Sequence, residues 1–150
     1  MDITFELYQE PDFEELATMI FALYTEDPEG ERLTLEKIRL TVTEAEKHKD
    51  KLAIWIFRRK GIVAGYGILN FFWSNEYGGD IVNIDEIYVK SEARGLGIAT
   101  MFIESLSLMY PKGCALKLEA SHSNMNAIKF YRQIGFEEAP NLHMIRKQSR

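Results

Sequence analysis

Ile84-Asp85-Glu86-Ile87-Tyr88-Val89, followed by Lys90 to Ala93 and then Arg94-Gly95-Leu96-Gly97-Ile98-Ala99, is the stretch on which the reading of this chain turns. A β-branched apolar run gives way to a short polar loop, and from Ile98 to Tyr110 apolar residues recur at helical spacing. This is the pattern of strand, glycine-rich turn and helix. The first N–H groups of such a helix lack intrahelical partners, and with the helix dipole they favour a phosphate or diphosphate. Gly95 and Gly97 permit a tight turn and close approach of backbone to ligand, and Arg94 adds a positive charge. A nucleotide P-loop would need a Gly-Lys-Ser/Thr ending, which is absent, and the dinucleotide fingerprint would need a third glycine where Thr100 stands. Glu119 does fall at the spacing of a ribose-binding acid, but few strand–helix units remain after the turn to complete that fold. Taken alone, the turn leaves a phosphate site and a plain tight turn both open.

A second block adds to the first. Arg94-Gly95-Leu96-Gly97-Ile98-Ala99 resembles the Arg/Gln-x-x-Gly-x-Gly/Ala signature of the GNAT superfamily of acyl-CoA-dependent N-acetyltransferases. Asn124-Met125-Asn126-Ala127-Ile128-Lys129-Phe130-Tyr131-Arg132-Gln133-Ile134-Gly135-Phe136 resembles that family's second motif, Asn-x-x-Ala-x-x-x-Tyr-x-x-x-Gly-Phe. The motifs stand in the family's order with a strand's length between them and cover the second half of the chain. The first half matches in its order of elements only.

Composition narrows the setting. The chain has 150 residues, 46% hydrophobic and 27% charged, which suits one globular domain spanning residues 1–150. Its formal net charge is −5, without a basic tract, which argues against nucleic acid as a partner. No apolar run approaches a membrane span, and Met1-Asp2 leads straight into a strand pattern, so a cytoplasmic address is expected. The single cysteine, Cys114, excludes an internal disulfide, and at the head of an apolar strand it reads as a small buried hydrophobe. His48, His122 and His143 show no metal-ligand spacing, so no metal is expected.

In chain order, Ile3 to Tyr8 alternates as a strand, and Asp12 with Glu15 forms a capping-box pattern ahead of a helix with apolar Phe13, Leu16, Ile20, Leu23 and Tyr24. Thr25 to Glu31 carries four acids around Pro28 and Gly30, read either as a solvated connection or as an acidic lip that recruits an amine. Thr34 caps a second helix with apolar Leu35, Ile38, Val42 and Ala45. Lys51–Arg58 and Ile62–Phe72 read as a hairpin turning at Lys60-Gly61, with Gly65 and Gly67 marking a bulge or a close neighbour. Trp73 to Asp80 connects to the central strand, and its aromatics either touch substrate or pack the loop down. A third helix would bury Ile98, Met101, Phe102, Ser105, Leu108 and Met109; then come a strand from Cys114 to Ala120, a short helix from Asn126 to Ile134, and closing strands at Phe136 and Leu142 to Arg146.

The resemblance implies an α/β (α+β) fold, with a mixed, mostly antiparallel sheet of about six to seven strands flanked by about four helices and a splay between the fourth and fifth strands. The pantetheine arm of acetyl-CoA would enter that splay and pair with backbone at Ile87, Tyr88 and Val89. Its diphosphate would lie on Arg94, Gly95, Leu96, Gly97, Ile98, Ala99 and Thr100, with Asn124 hydrogen-bonded to the arm or else capping a helix. Tyr131 would protonate the leaving thiolate, and its alternative is a packing role. Asp85 and Glu86, adjacent in a strand, would point to opposite faces, Asp85 with Ile87 and Val89, Glu86 with Ile84 and Tyr88. Either carboxylate, desolvated among apolar neighbours, suits a base, or else an ion-pair partner; Asp85 is the slightly preferred base. An N–H near Val89 would stabilise the oxyanion if the strand bulged there. The function implied is acetyl transfer to a small-molecule amine, with Glu76 and Asp80 joining the other acids around a cationic acceptor. The alternatives are a protein or peptide amine acetyltransferase, and a non-catalytic acyl-CoA-binding sensor or assembly subunit. A homodimer is compatible with the family.

Overall fold

The computed structural model describes residues 2–28 and 30–149, so Glu29 of the acidic connection lies outside the described residues. Alternation along the strands assigns the two faces of the sheet. In β2 (Leu52–Arg59), Leu52, Ile54 and Ile56 join one apolar cluster, and Trp55 and Phe57 join the other. The first cluster is completed by α1 (Phe13–Glu26), through Leu16, Met19 and Ile20, and by α2 (Leu35–Lys47), through Ile38 and Val42. The second is completed by α3 (Ile98–Met109), through Ile98, Phe102, Ile103 and Leu106, and by α4 (Met125–Gln133), through Phe130 and Tyr131. Helix pairs thus cover both faces of one sheet.

The sheet runs β1-β2-β3-β4-β5, with β1 Ile3–Leu7, β3 Ile62–Ser74, β4 Gly79–Val89 and β5 Gly113–Leu118. Neighbours are antiparallel except β4 and β5, which are parallel and joined by α3. The β2–β3 turn is Lys60-Gly61, with φ of 51° and 78°, the paired positive values that two-residue hairpins favour. Thr34 caps α2 by accepting from the Lys37 N–H at 3.2 Å.

Four expectations need correction. The sheet has five strands, not six to seven, because no strand or helix follows Gln133 among the described residues. A strand exists by pairing, and no described backbone hydrogen bond joins the tail to β5. The tail instead makes exposed side-chain contacts, His143 to Glu119 and Lys147 to Glu31, and Ile145 is 90% exposed. Asp12 does not cap α1: it accepts the Gln9 N–H at 3.0 Å and pairs with Arg58 at 2.6 Å. The buried stripe of α3 is rotated, with Leu108 84% exposed, since this helix is apolar nearly all round and its pattern cannot set the phase. Cys114 is exposed, on an edge strand and at the residue where the β4–β5 register skips.

Gly65 and Gly67 face α3, where the rings of Phe57 and Phe102 lie 4.5 Å apart. A Cβ on Gly65 would sit 2.3 Å from the Tyr88 carbonyl oxygen, and one on Gly67 would sit 2.8 Å from the Phe102 ring. Backbone cannot yield as a side chain does. Gly65→Ala is therefore expected to cost about 3 kcal/mol, the upper range for overpacking, read as a lower urea midpoint at constant slope. An unchanged midpoint would show that β3 and β4 can slide apart freely.

Candidate functional site

The site begins where two ladders end at different places. Pairing of β3 with β4 continues to Gly65 opposite Val89, but pairing of β4 with β5 stops at Ile84 opposite Leu118. Beyond Ile84, the side of β4 toward β5 has no strand partner. A bulge falls at the same point: Leu69 faces Ile84 and Ile68 faces Glu86, so Asp85 is the extra residue. The bulge breaks strict alternation. Val82 and Ile84, then Ile87 and Val89, lie in the α3 cluster, whereas Tyr88 lies in the α1 cluster. Glu86 accordingly shares the α1 face with Tyr88 but not with Ile84, as unbroken alternation would have had it. The register is regular from Glu86 to Val89, so the bulge on which an oxyanion role near Val89 depended is not there; it lies at Asp85.

The turn after β4 ends in Gly97, in the left-handed region with φ 78° and ψ 16°, which only glycine adopts readily. Gly97 holds the N-cap position of α3 with no side chain to accept a hydrogen bond, and no acidic residue lies in the first turn. The Met101 N–H donates to the Gly97 carbonyl at 2.9 Å, so the N–H groups of Ile98, Ala99 and Thr100 precede the first helical bond. This is an uncapped positive helix end. Arg94, expected to stand beside it as a positive charge, is already partnered. Its Nε donates to the Val89 carbonyl at 2.8 Å, and its guanidinium bonds both Glu26 oxygens at 2.9 and 3.0 Å.

These features open on one groove of about 730 Å³. Asp85 to Val89, Arg94, Gly95, Gly97 to Thr100, Asn124 and Tyr131 all line it. Of the residues expected there, Leu96 does not; it packs against the α3 cluster. Asn124 caps α4, its Oδ1 accepting the Ala127 N–H at 3.2 Å. The cap uses the oxygen only, and the amide –NH2 is the donor that a bound arm would need. Tyr131 packs on Phe130 and Phe136, with ring centroids 5.3 and 5.9 Å away, and burial raises its pKa.

Acidic groups collect on the same walls: Glu26, Asp27, Asp85, Glu86 and Glu119, against one cation, Arg94. Asp85 is solvent-exposed, yet the groove walls thin its hydration, and this desolvation, followed by the charge of Glu119, raises its pKa. Glu86 accepts from the Tyr24 hydroxyl at 2.7 Å and the Tyr66 hydroxyl at 2.8 Å. Burial raises the Glu86 pKa although both bonds pull it down. Glu76 and Asp80, expected beside these acids, are absent from the lining, as are Trp73 and Tyr77. Trp73 is near the end of β3, Glu76 and Tyr77 lie in the turn that follows, and Asp80 stands at the start of β4, from which the five residues to Asp85 span about 17 Å of strand. Sequence reasoning missed the tyrosine pair. The available signal was that a tyrosine in a buried stripe, like Tyr24, carries a hydroxyl that needs a partner. Among the described residues, no group of three or more His, Cys, Asp or Glu is arranged to hold a metal ion, and no helix is long and apolar enough to cross a membrane.

Comparison with known proteins follows the same lines. The model of the acetyltransferase (GNAT) family matches residues 14–136. Over 89 residues the chain is 35% identical to the thialysine N-epsilon-acetyltransferase of Bos taurus, covering 56% of this chain and 52% of that protein. The chain thus spans about half the length of the curated relatives it matches. A possible acetyltransferase from Clostridium difficile 630 shares the fold, with a TM-score of 0.82 at 18% identity over 99% of both chains. So does the ribosomal-protein-alanine N-acetyltransferase of Brucella melitensis biovar Abortus 2308, with a TM-score of 0.78 at 21% identity over 98% of this chain and 100% of that one.

Proposed function

This chain belongs to the acetyltransferase (GNAT) family, and from that premise we propose that residues 1–150 form one N-acetyltransferase domain, moving an acetyl group from acetyl-CoA to a primary amine of a small cationic acceptor. The observation that carries the proposal is the groove itself, which joins an uncapped helix end and an unpartnered strand edge to a wall of carboxylates. Acetyl-CoA supplies the activated thioester. The amides of Ile98 to Thr100 and the Gly95–Gly97 turn receive its diphosphate, and backbone at Ile87 to Val89 with the Asn124 amide holds its arm. Asp85 or Glu86 supplies the base, and Tyr131 the acid. An amine has pKa near ~10 and a thiol near ~8.5, so both groups are needed at neutral pH.

The acceptor's charge follows from the lining. Five carboxylates and one arginine, itself paired with Glu26, line the groove, so it attracts ammonium groups. Relatives named for acetylating thialysine support a small primary amine. Thiol release from acetyl-CoA, followed across polyamines, aminoglycosides, amino acids and peptides, tests the proposal. Acceptors with two or more ammonium groups are expected to react best, with KM rising as salt screens the groove. Asp27→Asn should raise KM roughly threefold with kcat little changed, the range of one exposed charge pair. Glu76→Gln, about a strand's length away, should leave both constants alone. A panel in which only anionic amines react would sink the cationic assignment. Tight acetyl-CoA binding without thiol release to any amine would instead make the chain an acyl-CoA-binding sensor.

A further inference from the structure

We propose that Tyr24 is a catalytic residue of this reaction, its hydroxyl oxygen receiving the acceptor's ammonium and relaying the proton to Glu86. The inference rests on the acetyl-transfer reading of the groove and goes beyond it by assigning the path of the proton.

Three observations carry it. Both oxygens of Glu86 are committed to phenols, Oε2 to Tyr24 and Oε1 to Tyr66. The two phenols differ in access: Tyr66, on β3, is fully buried, whereas Tyr24, in the last turn of α1, lines the groove. A phenol that donates its proton keeps its oxygen lone pairs as acceptors, so an ammonium in the groove can donate to the Tyr24 oxygen. The charged surroundings favour that position. Asp85 on β4 stands beside Glu86 and acts on Tyr24 as well, and Glu119 beyond β5 acts on Asp85. These carboxylates attract the ammonium without engaging the hydroxyls.

The proton balance closes. An ammonium N–H bond breaks and its proton passes to the Tyr24 oxygen, while the hydroxyl proton of Tyr24 passes to Glu86. Tyr24 ends neutral, as it began, and Glu86 ends as a carboxylic acid. The freed nitrogen pair forms the C–N bond to the acetyl carbon, the C–S bond breaks, and Tyr131 protonates the departing sulfur. The second nitrogen proton, acidic once the C–N bond forms, replaces the Tyr131 proton through solvent, and Glu86 releases its proton to water.

Paired conservative variants test the relay. Tyr24→Phe and Tyr66→Phe each delete one hydrogen bond to the same carboxylate, so a purely supporting role predicts similar losses. The relay predicts that Tyr24→Phe lowers the plateau kcat about 10²-fold, and Tyr66→Phe by no more than about tenfold. Each deleted bond stabilised the ionised carboxylate, so Glu86 should titrate higher and the acid limb of kcat/KM should move to higher pH in Tyr66→Phe. The double variant Tyr24→Phe/Glu86→Gln should be no slower than Glu86→Gln alone, because both remove one path. A Tyr24→Phe enzyme within about threefold of wild type, losses that multiply in the double variant, or equal losses in the two tyrosine variants would each overturn the relay. Wild-type protein that binds acetyl-CoA but acetylates no amine would overturn the acetyl-transfer reading, and the relay with it.

Discussion

Tyr131→Phe is expected to lower kcat by ~10²–10⁴ while leaving acetyl-CoA affinity nearly unchanged, the loss of one positioned proton donor. The substitution removes a hydroxyl and keeps the ring, whose packing on Phe130 and Phe136 needs no oxygen. Burial raises the Tyr131 pKa, so the phenol keeps its proton across the usual assay range and is competent as an acid throughout. The deficit should therefore persist from neutral to mildly alkaline pH. Single-turnover rates, with affinity from calorimetry, separate the two effects. A Phe variant with wild-type kcat at pH 7 and above would reduce Tyr131 to a packing residue.

Gly97→Val should abolish acetyl-CoA binding to within detection, a loss of roughly 10²-fold or more, if the amides after Gly97 receive the diphosphate as proposed. A Cβ at Gly97 meets no protein atom within 4 Å, so valine would project into open space instead of disrupting the core. The left-handed backbone costs an L-residue about 1–2 kcal/mol, within what a domain of this size tolerates. The variant should thus fold, with a lowered melting temperature, and fail to bind. Calorimetry showing wild-type affinity would remove the diphosphate from this turn.

The strand–turn–helix core of the site was legible because each of its parts is local. The Gly97 turn, the open end of α3 and the Thr34 cap each follow from a few neighbouring residues. What could not be read depends on pairing between distant segments. The bulge at Asp85 exists only relative to Ile68 and Leu69, so adjacent acids that should have parted faces were placed by a register no single strand displays. Glu86 meets Tyr24 across 62 positions of sequence, and Arg94 meets Glu26 across 68. The tail shows the reverse failure. Leu142 to Arg146 has the composition of a strand, but without backbone pairing composition alone does not make one.

Asp85 is one residue more than β4 requires. If it were excised, Ile84, Glu86, Ile87, Tyr88 and Val89 would alternate without a break, each on the face it now occupies. Neither apolar layer would need repacking, and the hairpin with β3 would lose only its irregularity. The residue is extra to the pairing of β3 with β4, and it lines the groove. A scaffold of this kind can gain or shed its bend through a change of a single codon. The groove and the framework beneath it can therefore vary separately, over a distance of one residue.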